Sequence, residues 1–179
     1  KNWKAPVSQV DNWPRLVQLA WATYDNEGKL IEQRDHIIKP VGFRIPIGAA
    51  KVHGISTEIA LEEGLPLQEV LAKFAEDIAR SELIIGHNIG FDVNIMACEF
   101  YRLGFENNLE QLPVLDTCTE KTASLCQIPG GRGGKFKLPT LTELHEYLFG
   151  SAFSEAHNAT ADVEATTRCF LELIRRGVY

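Results

Sequence analysis

The chain has 179 residues, 45% of them apolar, and a formal net charge of −6. That length and apolar content suit one domain with a full core better than two, and the charge argues against broad polyanion binding through a basic face. No apolar stretch is long enough to cross a bilayer, and "KNWKAPVSQV" lacks the greasy run of a signal peptide, so a cytoplasmic protein with no membrane partner is expected.

In chain order, residues 15–24, "RLVQLAWATY", are followed by the turn cluster "DNEGK" and then by "LIEQRDHIIKP", which predicts two strands joined by a tight turn at residues 25–28. "GAAKVHGIS" reads as a short helical turn and loop. Ser56 caps a brief helix that stops at Gly64, and Pro66 opens a stronger one. In that helix Leu67, Val70, Leu71, Phe74 and Ile78 recur at helical spacing up to about Glu82. "LIIG" is a short buried strand, and residues 91–103, closed by Gly104, form a helix with Ile95, Met96 and Phe100 inward. "PVLDT" predicts another strand, leading to a helix over residues 120–126. "PGGRGGKFK" is a flexible basic loop, after which Thr140 and Glu143 make a capping box for a helix ending before Gly150. The last helix is expected over residues 159–176. Strands first, then strand and helix in alternation, indicate a mixed sheet flanked by helices, in a single domain over residues 1–179.

The polar residues worth explaining are those that break apolar patterns. In "LIIGHNIGFDVNIM" a buried strand breaks at His87 and Asn88, and the chain re-enters an apolar helix with Asp92 in its first turn. A carboxylate there favours the helix N-terminus through the dipole. It also sits just past a strand end, where α/β proteins gather ligand groups. Asn88 and the Gly90 backbone add polar groups suited to a phosphate or sugar. Asp162 opens the last helix close to its core-facing side, where a carboxylate must be paired, hydrogen-bonded or bound to a cation. His157, just ahead of that helix, titrates near neutral pH as a general base requires, although a lone loop histidine is more often simply solvated.

"HNIGFD", followed some seventy residues later by a His-x-x-x-x-Asp pattern, resembles the second and third motifs of the DEDDh exonucleases, the family of the proofreading epsilon subunit of DNA polymerase III. "RLVQLAW" resembles that family's second strand, "VHGIS" its His-Gly-Ile-Thr loop and "VLDTC" the strand after the second motif. The resemblance implies a ribonuclease H-like mixed five-stranded sheet flanked by helices, on which four carboxylates hold two divalent ions, Mg2+ or Mn2+. It implies a 3′-5′ exonuclease acting on a single-stranded or frayed 3′ end of DNA, with RNA as the alternative substrate and a DNA polymerase as a partner. Carried over by position, Asp92 matches the second-motif metal ligand, Asp162 the third-motif ligand and His157 the general base. His53, Gly54, His87, Asn88 and Phe91 match positions that shape the pocket for the terminal nucleotide. The chemistry suits these residues: hard carboxylate oxygens take Mg2+ or Mn2+, and paired ions clamp the attacking and leaving oxygens of a phosphodiester.

The family's first motif, Asp-x-Glu-Thr on a central strand, has no counterpart in the chain. Asp25 and Glu27 have the spacing, but they lie after the second strand, where a turn accounts for both; Asp11 lacks a paired glutamate. The expectation is that residues upstream of Lys1 supply the motif. The competing reading is a noncatalytic nucleic-acid-binding or scaffolding domain. "GGRGGK" fails the phosphate-loop pattern, because Pro129 stands for its first glycine and Phe136 for its Ser or Thr; Arg132, Lys135 and Lys137 are left as guides for a nucleic acid backbone. Asp116 reads as a strand-end residue or cap, His36 and His145 as surface or packing residues, and Arg168, Arg175 and Arg176 as a solvated face. The widely spaced Cys98, Cys118, Cys126 and Cys169 point to reduced, structural thiols.

Overall fold

The computed structural model describes residues 2–154 and 158–179. They form two compact units, Lys1–Leu83 with Gly90–Pro113, and Ile84–Ile89 with Val114–Tyr179.

In the first unit, β1 (Gln18–Tyr24) and β2 (Leu30–Ile37) make an antiparallel hairpin. Its turn is organised by Asp25, whose Oδ1 accepts from the backbone N–H groups of Glu27 (3.0 Å) and Lys29 (2.8 Å). That use of the Asp25 carboxylate supplies the structural reason for an aspartate at this place. Next come α1 (Ile47–His53), α2 (Thr57–Glu63), capped by the Ser56 hydroxyl on the Ile59 N–H (3.2 Å), α3 (Leu67–Ile78) and, after the other unit's first segment, α4 (Gly90–Leu103). The expected apolar stripe of α3 is buried at Val70, Leu71 and Ile78, and its Val70, with Leu67 and Phe74, packs against Trp21 and Ile38. Fully burying side chains of this size stabilises by about 1.5–3 kcal/mol each. The helix stops at Ile78 and not near Glu82. The Ser81 hydroxyl donates to the Asp77 carbonyl (2.8 Å), and the Arg80 and Ser81 N–H groups turn back three residues to Asp77 and Ile78, which tightens the chain out of the α pattern.

Two buried carboxylates tie distant parts of this unit together. Asp77, 3% exposed, accepts from the Trp21 indole N–H (2.8 Å) and from Arg80 (2.6 Å), with the Arg34 Nε at 3.3 Å. Glu99 is fully buried, and its Oε1 receives Arg15 (3.1 Å), Arg102 (2.9 Å) and the Leu16 backbone N–H (2.9 Å).

In the second unit, β3 (Ile84–Gly86) pairs in parallel with β4 (Val114–Asp116). Three helices follow: α5 (Glu120–Cys126), α6 (Leu141–Phe149) and α7 (Ala159–Arg175). The Thr140–Glu143 capping box forms as the spacing predicts, and a second one joins Thr119 to Thr122. Asn158 caps α7 by accepting from the Thr160 and Ala161 N–H groups. Helices α6 and α7 pack through Leu144, Leu148, Cys169 and Leu173, and α7 also lies on β3.

The mixed α/β class expected from the sequence is observed. Among the described residues the strands pair as two two-stranded sheets, β1–β2 and β3–β4, and not as one sheet of five. Among them, too, no helix is long and apolar enough to cross a membrane, and all four cysteines are free thiols.

Candidate active site

Asp92 and Asp162 occupy equivalent local positions in their separate units. Each lies in the first turn of a long helix, α4 or α7, where the N-terminal end of the helix favours a negative charge. Asp92 is exposed and follows Phe91, itself 37% exposed; Asp162 is half-buried on the helix that packs against β3. His157 lies outside the described residues.

His87 and Asn88 end β3 in a tightly specified turn. Asn88 adopts a left-handed backbone (φ 57°), which asparagine tolerates better than most residues. Its N–H donates to Asp116 Oδ1 (2.8 Å), which also accepts from the Cys118 N–H (2.7 Å). Asp116 does end a strand, as the sequence indicates, but its carboxylate fixes the turn carrying two candidate site residues. His87 Nε2 lies 3.0 Å from the Pro139 carbonyl and Nδ1 lies 3.0 Å from the Thr117 hydroxyl. A carbonyl only accepts, so Nε2 carries a proton, while the single Thr117 hydroxyl proton faces two acceptors, His87 Nδ1 and the Gly86 carbonyl (3.1 Å). Burial pushes the His87 pKa down, against smaller upward pulls from the Pro139 carbonyl and the Asp116 charge.

His53 closes α1. Its Nδ1 accepts from the Ile55 N–H (3.2 Å), and Gly54 follows in the left-handed conformation (φ 78°) that lets the helix end there. Gly54 borders an open depression of about 700 Å³, lined also by Arg44, Ile45, Ile47, Lys51 and Ser56. Glu58 also lines it and lies 3.6 Å from Arg44, so Lys51, the turn backbone and exposed aliphatic surface are what suit a nucleotide's phosphate and sugar.

The basic loop is more constrained than its composition indicates. Lys135 pairs with Glu120 (2.6 Å) and Lys137 with Glu143 (2.6 Å), so both charges are already matched. A side chain at Gly131 would strike the Lys135 and Phe136 carbonyls at 2.3 Å, which explains that glycine.

The carboxylates of Asp92 and Asp162 are hard oxygen donors of the kind Mg2+ and Mn2+ take. Among the described residues, no group of three or more histidine, cysteine, aspartate or glutamate side chains is placed to hold a metal ion.

An exonuclease family model matches residues 8–170. The chain belongs to this exonuclease family. The match runs through both units and includes both candidate carboxylates. The DNA polymerase III PolC-type of Streptococcus pyogenes is 33% identical over 162 residues, which is 89% of this chain and 10% of that protein. The chain thus spans about a tenth of the length of the polymerase relatives it matches. Among solved structures, exonuclease I of Methylocaldum szegediense superposes with a TM-score of 0.71 at 26% identity, over 90% of this chain and 37% of that one. E. coli exonuclease I in complex with a dA16 oligonucleotide gives a TM-score of 0.70 at 22% identity, over 89% of this chain and 36% of that one. These likenesses establish the exonuclease I fold, which is ribonuclease H-like, for this exonuclease-family domain.

Proposed function

We propose that this exonuclease domain removes nucleotides from the 3′ end of DNA in a divalent-metal-dependent reaction and releases nucleoside 5′-monophosphates. The observation that supports it is the family match through residues 8–170, which takes in Asp92 on α4 and Asp162 on α7. In this reading the two carboxylates hold Mg2+ or Mn2+, with further ligands completing the set. Bound there, such ions would supply neutralisation of the charge that develops on the phosphodiester oxygens.

The chain's own residues do the rest. His157, ahead of α7, takes the proton from the attacking water. Phe91, His53 and Gly54 shape the surface that receives the terminal nucleotide. His87 and Asn88 contribute through a turn that Asp116 and Thr117 hold rigid. Single-stranded DNA is the favoured substrate because an exonuclease I with this fold is seen with an oligonucleotide. A DNA polymerase is the favoured partner because the polymerase relatives contain a similar segment; such work takes place in the cytoplasm.

The test is digestion of a 5′-labelled single strand by the full natural protein with Mg2+ or Mn2+. Stepwise shortening from the 3′ end is expected, with 5′-monophosphates as the product. His157→Ala should slow turnover by roughly a hundredfold or more while retaining metal, as for loss of a general base. Strand binding with no shortening in either metal would refute the proposal in favour of a noncatalytic domain.

A further inference from the structure

The amino-terminal stretch carries none of the motifs discussed above, yet it is built with care. The Asn2 N–H donates to Asn12 Oδ1 (2.9 Å) and the Asn12 side-chain amide donates to the Asn2 carbonyl (2.7 Å), so residues 2–12 form a closed loop. Asn2 Oδ1 also accepts from the Lys4 N–H (3.0 Å). The base of the loop is held by Arg102 of α4, which donates to the carbonyls of Val10, Trp13 (3.0 Å) and Pro14 (3.5 Å) while anchored by the buried Glu99. Trp13 is 3% exposed and donates its indole N–H to the Pro6 carbonyl (3.2 Å), as a packing tryptophan should. Trp3 behaves differently. It is 57% exposed, yet its ring is fixed between Trp13 (centroids 6.1 Å apart) and Phe91 (5.3 Å, edge-on at 62°).

An indole held in place with more than half of its surface in water is poorly explained by core packing. Its neighbour Phe91 is also partly exposed and precedes Asp92 directly. Unpaired bases stack on such surfaces whatever their identity. The exposed Lys4 beside it adds positive charge for a backbone phosphate.

We propose that Trp3, standing on Phe91, is a stacking platform for a base at the 3′-terminal region of a single-stranded nucleic acid, and so a substrate-positioning residue for the exonuclease. The proposal rests on the nuclease reading for its meaning but not for its test. Of the three tryptophans in this sequence, Trp13 and Trp21 are buried, and the part of the base quenching that disappears in Trp3→Phe reports Trp3.

The experiment titrates the full natural protein with a 12-mer oligothymidylate, with Ca2+ in place of Mg2+ to prevent hydrolysis, and follows tryptophan fluorescence and strand affinity. The same measurement uses a 12-mer with abasic sites at its 3′-terminal positions. Expected are quenching by the normal strand, little by the abasic one, and a Kd raised about tenfold in Trp3→Ala. Trp3→Phe should recover part of the affinity, and the abasic strand should bind wild type and Trp3→Ala alike. Where Mg2+ turnover is seen, Trp3→Ala should raise KM with little change in kcat. Equal affinity of wild type for the normal and abasic strands, or an unchanged Kd in Trp3→Ala, overturns the proposal. The abasic comparison needs no variant, so it decides the matter even if Trp3→Ala folds poorly. Absence of strand shortening in Mg2+ would count against the nuclease reading alone.

Discussion

The two units solve the burial of polar groups in opposite ways. The one that carries Asp92 buries charge: Glu99 and Asp77 sit at 0% and 3% exposure, each tied to arginines. The one that carries Asp162 buries mainly hydroxyl groups, Thr117 and Thr122 both at 0%, together with the His145 ring at 2%. His87 there spans Thr117 and Pro139 as a neutral ring. Buried ion pairs contribute modestly while whole but become costly when one partner is removed. Neutral hydrogen bonds are individually weaker and fail more gently. The first arrangement joins segments far apart in sequence, Arg15 and Glu99 being 84 residues apart, whereas the second sharpens turns at strand ends.

The comparison is most easily broken at Glu99. Glu99→Ala leaves Arg102, 14% exposed, without its carboxylate; the expected loss is about 3 kcal/mol in urea unfolding, and a loss below 1 kcal/mol would contradict the picture. Thr117→Val in the other unit removes the hydroxyl that serves His87 and should cost about 1–2 kcal/mol. The same unfolding series measured against pH sharpens the contrast. Burial lowers the His87 pKa from 6.5, so folding binds fewer protons there than unfolding. Its contribution is present above about 6.5 and is lost as the pH falls through the folded value. His87→Asn should flatten part of that slope. His36, in the first unit, is lowered by its own burial and by Lys73 and Arg34, and leaves a residual slope. For Asp77, burial pulls upward, but hydrogen bonds from Trp21 and Arg80 and the Arg34 charge outweigh it, so a further loss begins only below about 3.8. Thr140→Ala removes a cap of α6 and should cost about 1 kcal/mol. The smallest effect is chemical: burial pushes the Cys169 thiol up to about 12, so folded protein should protect it from iodoacetamide at pH 8.

Much of this architecture is legible in the residues because it is local. Thr140-x-x-Glu143 announces a helix start, the 3.6-residue stripe of α3 announces its buried face, and "DNEGK" announces a turn. What the sequence hides is non-local. Nothing in "ACEFYRL" says that Glu99 meets Arg15, and Asp116 looks like any strand-end acid until its bond to Asn88, 28 residues away, is seen. The early end of α3 was hidden by side-chain competition at Asp77 and Ser81. Asp92 and Asp162 stand out in the sequence only because their motifs occur in family order; each is otherwise an ordinary acid at a helix N-terminus.

The measurement that bears most directly on the central claim is Mn2+ titration of the full natural protein, followed by electron paramagnetic resonance, for wild type, Asp92→Asn and Asp162→Asn. If both carboxylates serve one metal centre, each substitution alone abolishes the same tight Mn2+ binding and the strand shortening with it. If either variant takes up Mn2+ as the wild type does, the two aspartates do not share an ion and the account is wrong.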